Sequence, residues 1–355
     1  MAAGLNSRHF GFLATGESVE AWTLSGSGGL ELDAITYGGI VTRLLAPDCN
    51  GRRADVVLGF RDLDSYLAGH PYFGAIAGRV AGRITNASFE LEGKIYSLAR
   101  NDPPNHLHGG VQGFDKKIWT ATPLKGEGGS PSLRLSYLSR DGEEGYPGTV
   151  QVSVTYTITG DNTFLIETEA VTDRPTPFNL THHSYFNLGG ESAGSSAGHE
   201  LQISADEYVA MDERGTLLGR LESVTGRGND FRKPRRLGEA IPMLLQNHGD
   251  LYRVRRSDAD DGAARVVPAA RLLESASGRV LDVSTTEQYL QLHTGAGLDG
   301  SLMGKSGAGY GRYAGVCLEC EGYPDAANAP SFGDVILRPG RPRRQRTEYR
   351  FSARP

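Results

Sequence analysis

Apolar and polar residues alternate with a period of two along much of this chain, the pattern of β-strands with one buried face. Val150, Val152, Val154, Tyr156 and Ile158 fall on one side of their run, with Gln, Ser and Thr on the other. Gly160-Asp161-Asn162 then supplies turn chemistry, and Phe164-Leu165-Ile166-Glu167-Thr168-Glu169-Ala170-Val171 returns, which predicts a β-hairpin. Similar short runs occur at 133–138, 201–208, 280–284 and 289–293, most of them separated by Gly, Asp, Asn or Pro. Helical periodicity is scarce. The best candidate is 237–246, which Pro242 interrupts. Many strands, frequent turns and few helices predict an all-β sandwich or barrel. With no long linker and no internal repeat, residues 1–355 read as a single domain.

The most informative stretch is Pro177-Phe178-Asn179-Leu180-Thr181-His182-His183-Ser184-Tyr185-Phe186-Asn187-Leu188. As a strand it places Phe178, Leu180, His182, Ser184 and Phe186 on one face and Asn179, Thr181, His183, Tyr185 and Asn187 on the other. The first face is suited to a core. The second is a row of amides and hydroxyls around one imidazole, which suits a sugar better than a lipid, a nucleotide or a metal.

Composition narrows the classes. The 48 glycines in 355 residues are nearly twice average usage and fit a turn-rich chain. A net charge of −5 argues against a broad nucleic-acid-binding face. No apolar run reaches bilayer length, and the first residues lack the features of a signal peptide, so a cytoplasmic location without membrane attachment is expected. Cys49, Cys317 and Cys320 are too few for a disulfide framework. Cys317-Leu318-Glu319-Cys320 has the C-x-x-C form, but in a strand its two thiols point to opposite faces, against a redox or zinc pair. The arginine-rich stretches 231–236 and 341–346 read as solvated surface or edge protection.

Four further segments carry candidate chemistry. Two arginines lie four apart in Gly78-Arg79-Val80-Ala81-Gly82-Arg83-Ile84, and His108 sits on a glycine-rich loop in Asn105-His106-Leu107-His108-Gly109-Gly110. Gln291 and His293 share a strand face. In Val316-Cys317-Leu318-Glu319-Cys320-Glu321 the carboxylates of Glu319 and Glu321 share a side with Cys317, and a mid-strand carboxylate among apolar residues is costly unless it has partners. His182 and His183 diverge on a strand, and no Glu follows His108 closely, so no metal site is expected.

Taken in order, these segments resemble the aldose 1-epimerases, or galactose mutarotases, from about Phe10 to Phe351. The matching stretches include Ala34-Ile35-Thr36-Tyr37-Gly38-Gly39, Asp55-Val56-Val57-Leu58-Gly59-Phe60, the arginine segment, Leu107-His108-Gly109-Gly110, Asn179 to Leu188, Cys317-Leu318-Glu319 and Pro324-Asp325-Ala326-Ala327-Asn328. The resemblance implies a large antiparallel β-sandwich (a supersandwich) with few short helices, a sugar substrate, a monomer or weak homodimer, and no metal or organic cofactor. Carried over by position, Glu319 is the general base, His183 the general acid and His108 a second active-site histidine. Arg83, Asp250 and Gln291 are the sugar-hydroxyl ligands. Three departures accompany it: Leu251-Tyr252-Arg253 follows Asp250 where the family has His-Asn-aromatic, Gly82 replaces an Asn, and His182 stands where Asn is frequent. The negative charge of Glu319 is expected to raise the pKa of His183. The competing expectations are a hexose-6-phosphate 1-epimerase, which needs a basic pocket, and a sugar-binding protein without turnover.

Overall fold

The computed structural model describes residues 3–245, 249–256 and 265–354. The expected hairpin forms: Val150–Ile158 pairs antiparallel with Thr163–Thr172, the even-numbered residues of the first strand facing inward. It belongs to a nine-stranded sheet whose order is Thr120–Lys125, Pro131–Ser139, Val150–Ile158, Thr163–Thr172, Arg343–Ala353, Arg279–Thr285, Val267–Leu273, Glu200–Ile203, Arg235–Arg236. A five-stranded sheet runs in chain order from Gly4–Phe12 to Arg53–Asp55. A second five-stranded sheet has the order Leu217–Ser223, Ala205–Met211, Asp250–Val254, Tyr289–His293, Cys317–Glu321.

Every ladder between these strands is antiparallel. Among the described residues, α-helix is confined to Leu63–Leu67 and Leu237–Ala240, and no helix is long and apolar enough to cross a membrane. The molecule is the antiparallel β-sandwich that the alternation and the motifs implied.

One apolar cluster draws on all three sheets: Leu32 and Leu44 from the first, Val152, Ile166 and Leu281 from the nine-stranded sheet, and Leu290, Leu292 and Leu318 from the second five-stranded sheet. Each such side chain contributes about 1.5–3 kcal/mol when taken out of water. The burial also fixes parity. With Leu290, Leu292 and Leu318 facing inward, Gln291, His293, Glu319 and Glu321 must face the other way, and it is there that a cleft forms.

Three local expectations need correcting. The 201–208 run is two strands: Glu200–Ile203 stays in the nine-stranded sheet, and Ala205–Met211 crosses to the second five-stranded sheet. Segment 237–246 gives one helical turn, Leu237–Ala240, then a 3-10 turn over Ile241–Met243 that carries Pro242; residue 246 lies outside the described residues. Segment 177–188 is not one strand. Thr176–Pro177 pairs with Ile336–Leu337, Thr181–His182 pairs with Ile76–Ala77, and Phe186 bridges Val57 and Val316. The alternation survives these changes of partner, but both faces are covered, so the polar row is buried rather than open to water.

The two arginines four apart have separate duties. Arg79 is buried and donates from Nη1 to the carbonyls of Pro147 and Gly148 (both 2.9 Å) and from Nη2 to Ser139 Oγ (2.5 Å) and the Arg140 carbonyl (3.1 Å). It pins the 139–148 loop against the 78–84 segment. Arg79→Met keeps the aliphatic volume but leaves those carbonyls without donors, and should lower unfolding stability by about 3 kcal/mol. Urea denaturation followed by tryptophan fluorescence measures this, and an unchanged midpoint would show that the carbonyls find other donors.

Candidate active site

The cleft opens over the outward face of the second five-stranded sheet. Its floor is the edge strand Cys317–Glu321 and its neighbour Tyr289–His293, with Gln291 directly opposite Glu319 and Leu251 next along the row. Its walls are the loops bearing Tyr72, Arg83 and His108, together with His183 and Tyr185. The cavity of about 160 Å³ suits one sugar ring, and falls below the ~300–1,000 Å³ typical of sites for larger ligands.

Glu319, His183 and His108 converge at the base, and all three are buried. His183 Nε2 lies 3.5 Å from Glu319 Oε2, an oxygen with no hydrogen-bond partner. The backbone around His183 is locked: its N–H donates to the Ala75 carbonyl (2.9 Å) and its own carbonyl accepts from Gly74 N–H (3.0 Å). Tyr72 and Tyr185 stack on the ring at centroid distances of 5.6 and 5.2 Å, and Nδ1 is 3.6 Å from Cys317 Sγ. His108 Nδ1 accepts from the Gly82 N–H at 3.1 Å, which places the proton of the neutral ring on Nε2 and makes that atom the donor for a ligand.

Burial decides the charge states. It pushes the Glu319 carboxyl up to about 8, with Arg83 opposing, and His108 down to about 3. His183 is lowered well below the usual imidazole range by burial, aided by His108 and His293. The expected raised His183 is therefore corrected: desolvation of a fully enclosed ring outweighs the attraction of a carboxyl that is itself driven neutral. Both shifts act in one sense, driving the carboxyl and the imidazole toward their uncharged forms.

Arg83 lines the cleft and forms an ion pair with Asp102 (Nε–Oδ2 2.6 Å). The Pro324-Asp325-Ala326-Ala327-Asn328 stretch supports this wall, because Asp325 Oδ1 accepts from Thr85 N–H (3.1 Å) and from Asn328 Nδ2 (2.7 Å). Gly82 is required here: its φ is +72°, and a Cβ would fall 2.3 Å from Pro324 Cγ. Gln291 lines the floor, with Nε2 donating to the Leu292 carbonyl at 2.8 Å.

Asp250 does not reach the cleft. The register pairs it with Leu292, which pairs with Leu318, and both leucines face the core. Its carboxyl hydrogen-bonds Asn229, and burial pushes it up to about 6. Parity is the reason: Leu251 takes the cleft side, and the preceding residue of the same parity is Gly249, whose absent Cβ would stand 3.0 Å from Gln291 Nε2. Among the described residues, no carboxylate lines the cleft at that end.

Several lining residues went unassigned in the sequence. Tyr72, with φ +59°, packs against His108 at 4.6 Å and against His183 at 5.6 Å, so it touches both histidines; nothing in its local pattern marks it. His293 and Glu321 were visible as period-two partners of Gln291 and Glu319. His182 and His183 diverge as expected, His182 entering the core among Tyr156, Phe164 and Tyr349. Cys317 and Cys320 likewise part, one toward His183 and one into the core.

The donor atoms of His108, His183 and Glu319 lie within 4.8 Å of one another, so this set drawn from three segments could accept a divalent cation. Neither of the sequence-adjacent histidine pairs forms such a set. The arginine-rich stretches lie elsewhere: Arg232 pairs with Asp230, Arg343 with Glu287, Arg344 with Glu169, and Arg346 with Glu167 and Glu348.

The family described as aldose 1-epimerase matches residues 20–350. Galactose mutarotase of Homo sapiens is 43% identical over 344 residues, covering 97% of each chain. Aldose 1-epimerase of Haemophilus influenzae is 34% identical over 334 residues, 93% of this chain and 94% of its own. The crystal structure of an aldose epimerase homologue from C. elegans superposes with a TM-score of 0.84 at 29% identity, covering 99% of both chains. A profile match over nearly the whole chain, at these identities and on this fold, agrees with the motifs of the cleft: the chain belongs to the aldose 1-epimerase family.

Proposed function

We propose that the chain interconverts the α and β anomers of a neutral free aldose, glucose and galactose among them, with Glu319 and His183 exchanging the protons, His108 donating a hydrogen bond, and Arg83 and Gln291 holding sugar hydroxyls. The observation that carries this reading is the 3.5 Å approach of a buried imidazole and a buried carboxyl at the base of a cleft sized for a sugar ring.

Ring opening needs a proton taken from the hydroxyl on C1 and another given to the ring oxygen. The C1–O5 bond then breaks as C1 becomes an aldehyde. Rotation about C1–C2 presents the other face, and closure runs the same transfers backward. Both oxygens are attached to one carbon, so an acid and a base only a few ångströms apart serve them together. A neutral pair with one proton satisfies both directions: whichever group gives the proton on opening regains it on closing. Base catalysis by Glu319 and acid catalysis by His183, the roles that position assigns, require the proton to lie on the imidazole. The polar groups of a bound sugar, by solvating both charges, favour that charged arrangement.

The charge lining the cleft supports a neutral sugar over a phosphorylated one. Among the described lining residues Arg83 is the only arginine or lysine, and Asp102 already pairs with it. In the arginine-rich stretches, Arg232, Arg343, Arg344 and Arg346 are matched with carboxylates away from the cleft.

Polarimetry of freshly dissolved α-D-glucose and α-D-galactose tests the assignment. Glu319→Gln and His183→Asn should each lose about 10²–10⁴-fold in kcat with the fold retained by circular dichroism; full activity in either removes that residue from the chemistry. The free-enzyme pH profile provides a second test. Raising the pH through about 8 strips the shared proton from Glu319 and leaves no acid, so kcat/KM should fall about tenfold per unit above it. On the acid side the fall should come well below 6.5, where His183 gains a second proton and no base remains. After subtraction of the buffer-catalysed rate, a profile flat from pH 7 to 10 would contradict the one-proton pair.

A further inference from the structure

Among the described residues lining the cleft, Glu321 is the other carboxyl, and none of the roles above uses it. It lies two residues beyond Glu319 on the same strand face and lines the same cavity, with its Cα about 7 Å along the strand. Its side chain is buried, and Oε2 has no hydrogen-bond partner. Burial, with Glu319 adding to it, pushes this carboxyl well above the usual range.

Two features of the surrounding backbone make the position meaningful. Gly82 keeps the approach to this carboxyl open, since even a Cβ there would stand 3.3 Å from Glu321 Oε1. At the other end of the floor, Asp250, expected as a ligand, faces the core, and Leu251 takes the cleft side. The polar end of the floor beyond Glu319 is therefore the one that Glu321 supplies. A buried carboxyl without a partner is costly to keep unless a ligand completes it.

We propose that Glu321 is a substrate-binding residue, hydrogen-bonding a sugar hydroxyl remote from the anomeric carbon and thereby helping to set which aldoses this cleft accepts. The inference rests on the aldose reading above. It identifies a recognition contact made at a distance from the proton-transfer pair, so it acts on KM rather than on kcat.

The experiment is mutarotation by wild type, Glu321→Leu and Glu321→Gln on glucose and on the 2-, 3-, 4- and 6-deoxyglucoses. In Glu321→Leu, which removes a buried carboxyl without leaving a hole, KM for glucose should rise about tenfold at nearly constant kcat. Glu321→Gln, which keeps a donor and an acceptor, should recover most of that loss. One deoxy sugar should bind about tenfold more weakly than glucose to wild type and equally weakly to glucose in Glu321→Leu, which identifies the hydroxyl. If KM is unchanged in Glu321→Leu, or if every deoxy penalty persists in it, the proposal fails and Glu321 is only a buried acid of the scaffold. A loss in kcat with KM unchanged also rejects it. An inactive wild type would instead overturn the epimerase reading, so the two failures are distinguishable.

Discussion

Removal of water from the base of the cleft is the constraint on which the rest of the site depends. Glu319, Glu321, His108 and His183 are all enclosed, and burial pushes each toward its neutral form. In water the same carboxyls and imidazoles would titrate near their ordinary values, and a proton would pass to solvent as readily as to a sugar oxygen. Enclosed, they form a set of donors and acceptors with little net charge, matched to a ligand that is itself a ring of hydroxyls. The cost is carried by the framework. Asn179, from the histidine segment, accepts from Gly322 N–H at 2.7 Å and donates to its carbonyl at 3.1 Å, while its own carbonyl accepts from Ala81 N–H at 2.7 Å. One amide side chain and one carbonyl thus tie together the arginine loop, the histidine segment and the end of the strand that bears both glutamates.

The fold was legible because its signal is parity, and parity is local. The 150–158 run, the return from Phe164, and the opposite facing of Cys317 and Cys320 follow from period two alone. The catalytic candidates were legible from the order of short motifs. Asp250 was misplaced because a residue type in a motif does not reveal its face, and only the pairing with Leu292 shows which parity applies. The 201–208 run concealed a change of sheet, since one alternation continues through Ser204 while the hydrogen-bonding partners change. The charge of His183 was beyond reach for another reason: proximity to a carboxyl is visible in a motif, but the depth of burial that outweighs it is a property of the whole packed structure. Tyr72 reaches the histidines through a turn with positive φ that no apolar pattern announces.

The two arginines of one short segment illustrate how the same residue type serves opposite ends. Arg79 is surrounded by carbonyl oxygens and shapes a loop, whereas Arg83, one turn of chain later, faces the cavity with Asp102 behind it. The intervening Gly82, turned back by its positive φ, sends them to different sides.

The position of the last long strand has a consequence for how the molecule is made. Arg343–Ala353 is the interior strand that joins Thr163–Thr172 to Arg279–Thr285, so the nine-stranded sheet remains two separate pieces until that segment has been synthesised. Until then Thr163–Thr172 presents an unpaired edge, and its eventual partner lies some 180 residues downstream. On a ribosome, closure of the sheet is consequently a late event, and the exposed edge is the surface that chaperones or aggregation would meet first.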